Sequence, residues 1–312
     1  MDYGYPLTTE PNALKAMIKP PTVLSRFAAA TTGTSNVSDV LPDGTISNMP
    51  WRKSGVKYSQ NEIYIDIIEE IDSIIDSRGN VVSSEVSGIL EVNCKLSGVP
   101  DLTLTFVDPE LIDDCSFHPC VRYNRFERDR VISFVPPDGV FELMRYRVHR
   151  QSHAAAPCYC QPNMYFDYNN SSGTITVNVG QRATSSIICA NKRNPVPVVE
   201  EVSCVIPFSK NVRTANLSVS VGTLLYDEAS KIAKWTIGKL VKDKIPQLTG
   251  NIVLQPGSKA EEAPPIELNW KVITASVSGL AVGSLTLTNE RYRPYKGVRA
   301  IAKSGKYQIR SV

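Results

Sequence analysis

The chain is predicted to be all-β, on three observations. Segments with a period-two alternation of apolar residues recur from Trp51 to the end of the chain, and turn residues separate them at short intervals. Helical patterns do not alternate with them, as a helix-wrapped parallel sheet would require. Roughly fifteen short strand segments joined by turns indicate sandwiches or barrels. With 312 residues, of which 42% are hydrophobic, the chain can bury a sizeable core, and its length indicates two compact units rather than one.

Taken in order, the first 18 residues hold one short helix, with Thr9 as N-cap, Pro11 in the first turn and Leu14, Met17 and Ile18 as its apolar stripe. A lone helix of that length is marginal in water, so it reads as the last element of another domain. Residues 19–50, rich in Pro, Ser, Thr, Gly and Ala, read as a linker.

Asn61–Asp72, NEIYIDIIEEID, is the stretch around which the rest is organised. Ile63, Ile65 and Ile67 fall on one face of a strand, and Tyr64, Asp66 and Ile68 on the other. Ile63, Ile67, Ile71, Ile74 and Ile75 would also make a helical stripe, but β-branching favours the strand. A carboxylate in the middle of such a strand is either solvent-facing on a half-exposed sheet or, with Tyr64, the acceptor and floor of a pocket on an edge strand.

Val81–Leu96 alternates, with Gly88 placed for a bulge or a close approach, and Leu102–Phe106 alternates cleanly. Turns are expected at residues 78–80, 97–100, 136–139 and 226–228. After Val148 the polar and small run HRQSHAAAPCYCQPN precedes a second set of strands: Ile175–Val179, Val202–Ile206, Leu217–Val221, Lys234–Ile237, Leu248–Leu254 and Ile266–Val272. Residues 278–312 have no core of their own, so they are expected to return to the first unit. Residues 51–154 with 275–312 then form one unit, and 155–274 a second unit inserted into it.

Charge and motif content narrow the function. A net charge of +3 is too small for a polyelectrolyte binder. No apolar run approaches the ~20 residues of a membrane span, and the N-terminal MDYGYPLTTEP lacks the features of a secretory signal, so a cytosolic location is expected. Seven cysteines without such a signal indicate reduced, small buried thiols rather than disulfides. Cys115-x-x-His118-x-Cys120 and Cys158-x-Cys160 lack the spacing of paired zinc knuckles, so neither metal nor cofactor is expected. Among three histidines, His149 and His153 stand four apart without a glutamate between them. With no HExxH, no phosphate loop and no nucleophile elbow, catalysis is not expected. The basic stretches Arg291–Arg310 and Lys231–Lys244 fit charged edge strands or contact with an anionic phosphoinositide membrane. Nucleic acid is not expected, because no RNA-binding signature or zinc finger accompanies the charge.

Ser116-Phe-His-Pro-Cys-Val-Arg-Tyr123 and Ser133-Phe-Val-Pro-Pro-Asp-Gly-Val-Phe-Glu-Leu-Met-Arg-Tyr-Arg147 resemble the mu homology domain of clathrin-adaptor medium subunits, as do 61–69, Leu96–Pro100, Ser278-Gly-Leu280 and Lys303-Ser-Gly-Lys306. Together they cover Trp51–Val312 in the family's order. Trp51–Tyr58, Ile68–Asp72 and Tyr295–Val298 follow the branch of adaptor-protein complex three. Residues 5–18 look like the last helix of the family's longin-like domain, most of which is then missing.

The resemblance implies an elongated all-β body of two sandwich subdomains, the second inserted into the first. It implies a non-catalytic adaptor subunit that binds Tyr-x-x-Φ sorting signals, Φ being a large apolar residue, in the cytosolic tails of membrane cargo. It further implies partner subunits of a heterotetramer and peripheral attachment to Golgi and endosomal vesicles bound for lysosome- or vacuole-related organelles. By position, Tyr64, Asp66 and Arg299 match the tyrosine pocket, and Ile65, Val282, Leu285 and Val298 the Φ pocket. Lys239, Lys242 and Lys244 are the residues expected to meet lipid. Asn93 and Gly297 depart from the family, standing where some members have a lysine and a tryptophan.

Overall fold

The computed structural model describes residues 49–148, 156–182, 188–189, 198–241, 244–258 and 263–311. The expected N-terminal helix, nearly all of the linker, His149, His153 and Lys242 lie outside these residues. The chain is all-β, as the alternation predicts. Its strands are β1 (Glu62–Ile75), β2 (Val81–Lys95), β3 (Asp101–Phe106), β4 (Ile112–Phe117), β5 (Ile132–Phe134), β6 (Gly139–Val148), β7 (Cys158–Asp167), β8 (Ser172–Gln181) and β9 (Ile188–Cys189). They continue with β10 (Val199–Pro207), β11 (Val212–Val219), β12 (Thr223–Asp227), β13 (Ile232–Gly238), β14 (Gln247–Leu254), β15 (Ile266–Val272), β16 (Ala275–Ser276), β17 (Val282–Thr288) and β18 (Tyr295–Ile309).

Nine strands form one sheet in the order β12-β13-β10-β15-β18-β1-β2-β6-β4. A second sheet runs β11-β14-β8-β7, a third β17-β3-β5, and β16 pairs with β9. Strand β18 pairs in parallel with β1 along its length and antiparallel with β15 in its second half. The large sheet therefore runs without a break from the first set of strands into the second.

Strand β1 sets the core. Ile63, Ile65, Ile67, Ile71 and Ile75 are all but closed to solvent, while Tyr64, Asp66 and Ile68 face the other way. The strand is not an edge, however, which corrects one expectation for Tyr64 and Asp66. It is hydrogen-bonded to β18 on one side and β2 on the other. The partner β18 comes from more than 200 residues away in sequence, a neighbour that local pattern does not reveal.

Glycines sit where neighbours come close. A Cβ on Gly88 would collide with the ring of Tyr146, and one on Gly305 with the carboxylate of Asp72, which accepts from the Lys306 amide at 2.6 Å beside a register shift in β1. Arg52 is buried and donates to three carbonyls, those of Leu96 at 2.6 Å, Gly98 at 2.8 Å and Pro136 at 3.0 Å. Trp51 Nε1 donates to the Val135 carbonyl at 2.9 Å. These bonds explain why Trp51-Arg52 and Leu96–Pro100 belong together.

Three elements escape the pattern. The polar and small run HRQSHAAAPCYCQPN precedes the expected second set of strands, yet β7 already starts within it, at Cys158, and contains Pro162. As the last strand of its sheet it can hold a residue without an N–H, and Cys158 and Cys160 supply its buried face. The strand expected at Leu217–Val221 is β11 and begins earlier, at Val212. A helix, α1 (Tyr123–Asp129), buries Phe126 against Phe117, ring centroids 4.6 Å apart, and ends on Arg130 at φ 54.

Candidate functional site

Where β1 and β18 run in parallel, Tyr64 faces Gly297 and Asp66 faces Arg299 across the ladder. All four belong to the outer face of the sheet. Arg299 grips Asp66 with two parallel bonds, Nε to Oδ1 at 2.9 Å and Nη2 to Oδ2, a fork that a lysine could not form. This carboxylate bond raises the already high pKa of Arg299. The Asp66 side chain is 17% exposed and that of Arg299 56%. Each Asp66 oxygen retains a second lone pair, so the carboxylate can still accept a further hydrogen bond.

Tyr64 is 36% exposed, and its hydroxyl donates to Glu62 at 3.3 Å. Its ring centroid lies 5.7 Å from that of exposed Tyr295, tilted by 49°. On the other flank of β1, Asn93 faces Tyr64 and Glu91 faces Asp66. An incoming phenol would thus meet two aromatic faces, one guanidinium and a carboxylate.

The inner face carries the other group. Val298 stands beside Ile65 in the ladder; it is 42% exposed, whereas Ile65 is fully covered beneath the sheet. Val282 and Leu285 lie on β17. Lys296 Nζ donates to the Leu285 carbonyl at 2.6 Å, which brings β17 to the first half of β18. Val298 and half-buried Val282 keep apolar surface accessible, while Ile65 and Leu285 are buried.

Between these two faces runs an unpaired backbone. Strand β15 meets β18 only at Ala302–Lys303 and Gln308–Ile309. Among the described residues, no strand pairs with that edge of residues 295–301. The first half of β18 is therefore open on the side away from β1.

Two of the basic residues expected to meet lipid, Lys239 and Lys244, follow β13 among the described residues. Lys239 pairs with Glu200 at 3.4 Å, and Lys244 is exposed. No disulfide joins Cys94, Cys115, Cys120, Cys158, Cys160 or Cys204, and His118 Nδ1 accepts from the Cys120 amide at 3.0 Å. No described helix is long and apolar enough to cross a membrane.

Nothing in the sequence placed Glu91, Tyr295 or Lys296 at this site, although Tyr295 and Lys296 belong to a family motif and a basic stretch. Stepping by two back from Arg299 would have found Tyr295 on the same face, whereas Glu91 depends on the pairing of β2 with β1.

The family model described as the adaptor complexes medium subunit family matches residues 49–311. The AP-3 complex subunit mu of Dictyostelium discoideum is 48% identical over 99% of this chain and 72% of its own length. The AP-3 complex subunit mu-1 of Rattus norvegicus is 43% identical over 100% of this chain and 72% of its own. The yeast delta-COP-I mu-homology domain shares the fold with a TM-score of 0.59 at 17% identity, covering 81% of this chain and 100% of that one. The chain is a member of the adaptor complexes medium subunit family, similar along its whole length to AP-3 mu subunits.

Proposed function

We propose that this medium subunit binds Tyr-x-x-Φ signals in the cytosolic tails of membrane cargo, as a non-catalytic component of an adaptor complex. One observation carries the reading. The tyrosine-type group (Tyr64, Asp66, Arg299) and the apolar group (Val282, Leu285, Val298, backed by Ile65) lie on opposite faces of a sheet whose edge is open between them. A peptide added to that edge as a strand alternates its side chains between the faces, so Tyr and Φ reach opposite groups only when an odd number of positions separates them. The spacing of three in Tyr-x-x-Φ meets that condition.

In this reading the phenol donates to Asp66 and lies against Arg299 and Tyr64, and the Φ side chain covers Val298. Other subunits of the adaptor complex are partners, and the setting is peripheral attachment to Golgi and endosomal vesicles carrying cargo toward lysosome- or vacuole-related organelles. Residues 51–154 with 275–312 make up the signal-binding subdomain, and 155–274 an inserted one. Lys239, Lys242 and Lys244 give a secondary contact with anionic phosphoinositide membrane, supported by the exposure of Lys244.

Calorimetry of the full chain with Tyr-x-x-Leu, Tyr-x-x-Ala and Tyr-x-x-x-Leu peptides tests the reading. Losing the apolar anchor removes about 1.5–3 kcal/mol, so the Ala and the lengthened peptide should each bind roughly ten- to a hundredfold more weakly. Equal binding of the two leucine peptides would overturn the opposite-face arrangement.

A further inference from the structure

Glu69 lies on the covered face of β1, three residues past Asp66, and is fully buried among isoleucines. A carboxylate in such a place is unfavourable unless its oxygens are satisfied. Four donors satisfy them. The Tyr146 hydroxyl on β6 donates to Oε1 at 2.8 Å, and the Ser278 hydroxyl donates to the same atom. The amides of Val277 and Ser278 donate to Oε2 at 2.7 and 3.0 Å.

Three of these four donors belong to the turn that leads into β17. That turn closes on itself. Ser278 Oγ accepts from the Leu280 amide at 2.9 Å, Ser276 Oγ donates to the Leu280 carbonyl at 3.0 Å, and Gly279 takes φ 85 between them. The next residue, Ala281, accepts from the Val107 amide at 2.9 Å, and Val282 then pairs with Phe106 on β3. On the same inner face, the residues of β18 that neighbour Ile67 and Glu69 are Ala300 and Ala302, small enough for β16 to pack over them. A continuous hydrogen-bonded path thus runs from one carboxylate on β1 to the first residue of the strand that carries Val282 and Leu285.

We propose that Glu69 is a positioning residue for recognition of the Φ side chain. It fixes the turn at residues 276–280, and through it β17, at a set height over β1 and β18, so that the apolar group faces the open edge of β18. The proposal rests on the peptide-binding reading above. Glu69 touches no ligand, being closed from the outer face where Tyr64 and Asp66 lie. A glutamine in its place keeps the volume but offers one acceptor oxygen where the carboxylate offers two, so two of the four donors lose their acceptor and the turn loosens.

The test measures Φ preference against tyrosine preference in Glu69→Gln, using the full chain and calorimetry with Tyr-x-x-Leu, Tyr-x-x-Ala and Phe-x-x-Leu peptides. The Leu-to-Ala affinity ratio should fall about tenfold toward unity, with the Tyr-to-Phe ratio held within about twofold. A merely destabilised protein would lower every affinity by one common factor and leave both ratios unchanged. Amide exchange should quicken at residues 277–288 and stay as in the wild type at 62–68. If Glu69→Gln fails to fold, Ser278→Ala removes one donor and leaves three, and should lower the Leu-to-Ala ratio about threefold. An unchanged ratio in the variant that folds overturns the proposal. A wild type that binds none of the peptides overturns the signal-binding reading and the Φ role with it. The exchange measurement then still decides whether Glu69 holds β17.

Discussion

The ring of Tyr64 occupies the space that a Cβ on Gly297 would need: such an atom would lie 2.6 Å from Tyr64 Cδ1 and 3.0 Å from Cε1. Position 297 therefore governs how the aromatic floor lies. Gly297→Ala should displace the ring and weaken a Tyr-x-x-Leu peptide by roughly three- to tenfold, with thermal stability changed by less than about 1 kcal/mol because the ring is partly exposed. In a Tyr64→Ala background the same substitution should have little further effect on binding. Calorimetry on the four variants checks this, and additive losses would mean that the two residues act separately.

Asp66→Ala should remove one charge-assisted hydrogen bond to the signal tyrosine, about 1.5–3 kcal/mol, or roughly ten- to a hundredfold in affinity. A Phe-x-x-Leu peptide should lose a similar amount on the wild type and little more on the variant, since both changes delete the same bond. A phosphotyrosine peptide should be rejected, because its added charge and bulk would meet the Asp66 carboxylate, with Glu62 and Glu91 on the same face. Equal affinity of wild type and Asp66→Ala for the tyrosine peptide would locate the phenol elsewhere.

Arg299→Lys tests the fork separately. A lysine keeps the charge but cannot hold both Asp66 oxygens or lie flat against a phenol, so affinity should fall about tenfold while the unliganded fold persists. Retention of full affinity would reduce Arg299 to a point charge.

Changing Lys239, Lys242 and Lys244 together to Glu should weaken binding to phosphoinositide liposomes, by on the order of 1 kcal/mol per residue near the surface at low salt, and leave peptide affinity as it is. Lys239 should contribute least, since Glu200 already neutralises it. Sedimentation with liposomes gives the answer, and undiminished binding by the triple variant removes the patch.

Burial pushes the carboxyl of Glu69 above its ordinary value of 4.5, against the pull of its four donors. The folded state then holds the proton more tightly than the unfolded state does. Its contribution to stability is fully present below the unfolded pKa and is lost as pH rises through the folded one. Relative to Glu69→Gln, which does not titrate there, the wild type should lose melting temperature as pH rises above the ordinary carboxyl range. A wild type that gains on the variant over that range would mean the donors outweigh the burial.

How much of this was legible depends on the range of each interaction. The two faces of β1 follow from one strand's own alternation, so Ile63, Ile65 and Ile67 could be assigned inward and Tyr64 and Asp66 outward before any partner was known. Gly88 could be marked as a close approach, although its neighbour Tyr146 could not be named. The parallel register of β1 with β18 and the early end of β15 arise from contacts across the whole chain and leave no local trace. Strand β7 was not assigned, because cysteine and proline disguise the buried face of an edge strand. Glu69 was visible only as part of a motif; its role needed the turn at 277–278, more than 200 residues away.

The point at which β15 leaves β18 acts as a ruler. Residues 295–301 offer about 23 Å of unpaired backbone at ~3.3 Å per residue, enough for an extended segment of roughly seven residues and no more. Beyond Ile301 the sheet's own strand already occupies the slot. Sequence information further along a bound tail in that direction is therefore unreadable by backbone pairing, however favourable its side chains, and selectivity must be concentrated in the few positions that fit within this length.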